Sequence, residues 1–251
     1  MITKNKLDEL VLKYETKEFI SQDPVRYVHS FKSKRDIEIA GFIASLFAYG
    51  NRKVFLSKLD KLIQMMGDSP YKFVLSFTQE NSMLDSFEYR FSKGCDIKEI
   101  FLILKQLYRE EESSLEELFS FGWNKFKTVK GMLITVTDYF YSNVKNEVTK
   151  GFYHLIPDAN KSSALKRMNM FLRWMVRDGV VDKGVWNFMP KSELLIPLDT
   201  HVSRLSVEMG LVAKSNGDFK TAQLITEKLK EFDDFDPIKY DFALFAYGID
   251  K

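Results

Sequence analysis

An all-α fold is predicted for this chain of 251 residues, and three observations predict it. Apolar residues recur at helical spacing in almost every segment, and helix starts are marked by an Asx or Ser before proline. No Asn-Gly turn or similar hairpin signal separates alternating segments. Residues 33–50 set Ile37, Ala40, Gly41, Ala44 and Phe47 on one stripe and close on Gly50, which suits a helix C-terminus. Residues 96–112 and 131–148 follow the same pattern, although the β-branched "LITVT" weakens the second. At Asp23-Pro24, Ser69-Pro70 and Asp236-Pro237 a capping side chain precedes a proline that loses no needed donor. "SLFAYGN" (45–51) and "ALFAYGI" (243–249) read as two buried helices that both end on Tyr-Gly, without forming a true repeat.

Composition narrows the function classes. The chain is 45% hydrophobic and 29% charged, with 22 Phe and 11 Tyr, as expected of a folded globular protein. A net charge of +2 neither requires nor excludes nucleic acid. The single cysteine, Cys95, excludes an intrachain disulfide and a multi-cysteine metal or iron–sulfur site. His29, His154 and His201 lie far apart, so no metal and no cofactor is expected. The charged N-terminus does not read as a signal peptide and no apolar run approaches a membrane span, so a cytoplasmic, membrane-free monomer is expected. The chain reads as one helical unit over 1–251 with two lobes, and its best breaks are at 111–114 and 157–163.

Two positions could carry chemistry. After the polar turn at 157–163, a helix capped by Ser162 or Ser163 would bury Leu165, Met168, Phe171, Leu172, Met175 and Val176. That puts Lys166 in its first turn, where the helix dipole disfavours a cation and favours the nucleophilic amine. The plainer reading is a surface lysine beside Arg167. Asp199 precedes a helix from about Thr200 to Met209, with Gly210 as C-cap. A helix cap explains it, and a cap also holds a carboxylate ionised and fixed.

The stretch "PLDTHVSRLSVEMGL" (197–211) resembles the "VDTHV-x-R-x-x-x-R-L-G-L" signature of the helix-hairpin-helix DNA glycosylases. "KRMNMFLRWMVRDG", "IPLDTHVSR" and "DPIKYDFALFAYG" together are also similar to a bacterial family without an assigned function. The glycosylase resemblance implies a catalytic aspartate at Asp199 and a nucleophilic lysine at Lys166, in a catalytic part at about 150–251. The hairpin departs from the family: "IPDANKSSALK" replaces the usual Leu-Pro-Gly-Val-Gly before the lysine. The long separation of Lys166 from Asp199 and the lack of a cysteine cluster are closer to the archaeal-type 8-oxoguanine glycosylases. The resemblance thus implies base-excision repair of damaged double-stranded DNA, with 8-oxoguanine the favoured lesion and AP-lyase activity a further step.

It also implies binding residues. Asn51 would fill the gap left by a flipped nucleotide, although a turn residue is the plainer reading, and Arg52 would hold phosphate. Arg167 and Arg204 are further DNA contacts, while His201 is expected to be packed. Tyr240, Asp241 and Phe245 would form the base pocket, the last two one helical turn apart. A surface stripe explains Asp241 about as well. Two non-enzymatic alternatives stay open: a nucleic-acid-binding helical module without turnover, and a protein-interaction domain.

Overall fold

The computed structural model describes residues 2–250, and among these it is almost wholly helical. The all-α expectation is met. The chain divides into two compact units: one runs to Arg26 and resumes at Lys161, the other spans Tyr27–Asn160. The boundary at Asn160 falls within the 157–163 stretch, whereas 111–114 is a loop inside the second unit.

The first unit opens with α1 (Lys4–Tyr14), capped by Thr3, and the short α2 (Lys17–Ile20). The chain then enters α3 (Arg26–His29), where Asp23 caps the preceding turn by accepting from Val25 N at 2.9 Å.

The second unit is built from α4 (Lys34–Phe47), α5 (Arg52–Met66), α6 (Pro70–Ser76), β1 (Glu88–Tyr89), β2 (Ser92–Lys93), α7 (Gly94–Leu107), α8 (Leu115–Phe126), α9 (Val129–Ser142) and α10 (Lys150–Leu155). Ser69 caps α6 with Pro70 at its start, as its sequence predicts. Phenylalanines fill the core: Phe42 stacks on Phe140 at 5.3 Å, and Phe73, Phe77 and Phe101 meet edge-on or tilted. Buried carboxylates organise the loops between helices. Asp36 accepts from Ser69 Oγ and Tyr71 N, and Glu99 accepts from the backbone of Lys145 and Asn146. Glu38 accepts from the Tyr108 hydroxyl at 2.6 Å, and burial together with that carboxylate pushes the phenol's pKa well up. The β1–β2 hairpin was not expected from the sequence. Its two-residue turn is Arg90-Phe91, with no glycine or asparagine to announce it.

The first unit resumes with α11 (Lys166–Val176), α12 (Thr200–Glu208), α13 (Phe219–Lys230) and α14 (Lys239–Asp250). All six predicted apolar positions are buried, five of them on α11 and Leu165 at its N-cap. Leu10 and Tyr14 of α1 pack on Ala243 and Ala246 of α14, and Phe171 meets Trp186 edge-on at 5.2 Å. The expected end of the last helix at Tyr247-Gly248 is corrected: α14 continues through both residues. Gly248 serves close packing instead, since a Cβ there would lie 3.0 Å from Leu205 Cδ1 and 3.1 Å from His201 Cβ on α12. Asp236 turns its carboxylate to Arg177 Nε, with both oxygens at 3.0 Å.

Candidate active site

The first unit brings two helix N-termini together. Asp199 is the N-cap of α12 and accepts from Val202 N through Oδ1 at 2.8 Å. Its other oxygen, Oδ2, lies 3.7 Å from Lys166 Nζ. The cap therefore consumes one oxygen and leaves the second aimed at the lysine. The side chains are 30% (Lys166) and 13% (Asp199) exposed, so the pair is partly shielded and still reachable from solvent.

Lys166 is the first residue of α11. The predicted serine cap is corrected: Leu165 occupies the cap position in the left-handed region (φ 51°, ψ 37°), without a capping side chain. Ser163 accepts only from Leu165 N, at 3.4 Å. The backbone around it is pinned from elsewhere, by Phe219 N donating to Ser162 O and by a bridge between Ser163 and Asp218. A buried leucine with positive φ is costly, of order 1 kcal/mol, and the tie to the start of α13 holds it in place. The aliphatic side chain of Leu165 goes into the core while Lys166 emerges at the rim.

An aromatic ring completes the surroundings. Lys166 Nζ lies 5.7 Å from the centroid of Phe245, a cation–π distance, and His201 meets the same ring edge-on at 6.4 Å. Of the three C-terminal pocket candidates, Phe245 packs its ring against the lysine. Asp241 is 3% exposed and gives its carboxylate to Arg173, while Tyr240 turns its hydroxyl to Asp8 on α1. Both side chains are buried where α14 faces the interior. Arg204 is exposed and pairs with Glu208 at 2.9 Å, and Arg167 is half-buried in the first turn of α11. Asn51 and Arg52 belong to the other unit, where Asn51 caps α5 by accepting from Val54 N at 3.2 Å.

Behind the pair lies an ionic cluster that sequence reasoning missed. Arg173 on α11 and Arg177 at its C-cap, four residues on, are both buried. Arg173 joins Asp182 (3.0 Å) and Asp241, and Arg177 joins Glu15 (2.5 Å), Asp182 (2.9 Å) and Asp236 (3.0 Å). Burial opposes the charge on both guanidiniums, but the surrounding carboxylates outweigh it and keep both firmly protonated. Asp241 goes the other way: burial raises it to about 6, with Arg173 opposing and the charges of Asp199 and Asp182 adding to the rise. Asp199 is thus electrostatically coupled to the cluster. A sequence signal existed, since Arg173 interrupts the apolar run from Met170 to Val176 and Arg177 follows that run directly. Their partners, scattered from Glu15 to Asp241, could not be paired without the fold.

Among the described residues no group of three or more His, Cys, Asp or Glu could hold a metal ion, and no helix is long and apolar enough to cross a membrane. The chain matches no curated protein and no solved structure. A family model described as "Protein of unknown function (DUF2400)" matches residues 23–250, and the chain belongs to that family.

Proposed function

We propose that the protein is a DNA N-glycosylase with Lys166 as nucleophile and Asp199 as its charge partner. The observation that carries this reading is the 3.7 Å approach of Lys166 Nζ to the free oxygen of a helix-capping aspartate. It is supported by the resemblance of residues 197–211 to the glycosylase signature, which assigns a catalytic role to that same aspartate.

Lys166 gives a proton to Asp199, and its amine attacks C1′ of a nucleotide turned out of the duplex. The N–C1′ bond to the lysine forms as the glycosidic bond breaks, and the base leaves with the bonding electrons and takes up a proton. Opening of the sugar ring then gives a Schiff base on Lys166, and Asp199 offsets the positive charge that develops. Loss of a C2′ proton with cleavage of the C3′–O bond would add the lyase step. Phe245, already in contact with the lysine, offers a ring face for the extruded base. The preferred lesion, 8-oxoguanine, rests on resemblance to the archaeal-type enzymes.

Release of free base from an 8-oxoguanine duplex tests the reading. Lys166→Gln is expected to abolish release, and Asp199→Asn to slow it by roughly 10²–10⁴-fold. No release from this or any other lesion duplex by the wild-type chain would refute it. Full activity of Lys166→Gln would refute the assignment of the nucleophile.

A further inference from the structure

The second unit carries a feature that the proposed chemistry does not use. The β1–β2 hairpin turns through Arg90 and Phe91, and Arg90 sits at φ 54°, a region that favours glycine. Phe91 is 57% exposed at the tip. The Arg90 guanidinium lies 5.6 Å from the Phe91 ring and 5.8 Å from the Tyr49 ring, and among the described residues it has no ion-pair partner. His154 is in edge contact with both rings, at 4.5 Å to Tyr49 and 5.0 Å to Phe91.

The tip is built rather than loose. Tyr89 donates its hydroxyl to the Tyr49 carbonyl, and Asp96 binds Lys93 N (2.8 Å) and Thr149 N (2.7 Å), tying β2 to the start of α10. Gly50 leaves the space that Arg90 occupies, for a Cβ there would stand 2.5 Å from Arg90 Nη1. From Gly50 the chain runs straight into Asn51, Arg52 and Lys53 at the start of α5. An exposed ring, an unneutralised guanidinium and a second basic segment therefore share one end of this unit.

We propose that this hairpin tip is a binding surface for a DNA strand, with Phe91 stacking on an unpaired base and Arg90 and Lys53 holding the neighbouring phosphates. The pairing of one ring with adjacent cations matches the alternation of base and phosphate along a strand. A membrane would call for a broader apolar face, and a peptide for a groove. The inference rests on the DNA reading above, but its contacts are separate from the Lys166 chemistry.

Fluorescence anisotropy of a labelled mixed-sequence single-stranded oligonucleotide, titrated with the full chain over a salt series, tests it. Phe91→Ala is expected to weaken binding about 5- to 100-fold. Arg90→Gly, which relieves the left-handed backbone and so preserves the fold, is expected to lower the slope of log affinity against log salt by roughly one unit. Wild-type binding that neither variant alters would overturn the hairpin assignment and leave the glycosylase reading intact. Loss of binding in both variants, with no base release by the wild type, would uphold the hairpin and refute the glycosylase. No binding by the wild type at low salt would overturn the inference.

Discussion

At the scale of single residues, Asp199 does two jobs with its two oxygens. Capping holds one on Val202 N, and that constraint directs the other toward Lys166. The two jobs separate by mutation. Asp199→Ala should cost about 1 kcal/mol through the lost cap, whereas Asp199→Asn keeps an acceptor and should cost only a few tenths, measurable by urea denaturation. Activity should fall in both, so a variant with near-normal stability and little turnover is the expected signature of Asn. Asp241 provides a second test. Its folded pKa of about 6 stands above the usual 3.8, because burial and nearby carboxylates outweigh Arg173. The protonated form is thus favoured by folding, and that contribution is complete below about pH 4 and lost as pH rises through 6. Whatever its offset, Asp241→Asn should therefore gain stability relative to wild type between pH 4 and 6, by about 2–3 kcal/mol, and remain level above. Parallel denaturation curves across that window would contradict the assignment.

Helices and hairpins show what the sequence could announce and what it could not. The apolar face of α11 and the capping role of Asp199 were both legible, because periodicity and caps are local properties. The start of α11 was not, since Leu165 takes a left-handed conformation that only its tie to the start of α13 explains. The hairpin carries no local signal because Arg-Phe makes its turn, and Tyr247-Gly248 mimics a helix end because close packing of α12, not capping, demands that glycine. The ionic cluster was invisible for a related reason: Arg177 and Glu15 are 162 positions apart. Such a cluster is costly to break from one side. Arg177→Met would leave Glu15, Asp182 and Asp236 without their shared cation and should destabilise the first unit by roughly 3–5 kcal/mol, seen as a lowered melting temperature. A melt within a degree of wild type would show that the cluster contributes little.

On the scale of the whole molecule, the chain folds one unit into the course of another. The second unit is a continuous stretch with its own phenylalanine core, so residues 27–160 expressed alone should melt cooperatively. The first unit needs both of its pieces, for α1 supplies Leu10 and Tyr14 to the core and Glu15 follows it into the ionic cluster. A chain lacking residues 1–26 should therefore lose the first unit and its activity together, while circular dichroism retains the helices of the second. The central claim concerns two residues in that first unit, and covalent trapping tests it most directly. Wild-type chain incubated with an 8-oxoguanine duplex and borohydride should yield a reduced protein–DNA adduct that mass spectrometry maps to Lys166 and that Lys166→Gln abolishes. An adduct mapped to a different lysine, or none on any lesion duplex, would contradict the account.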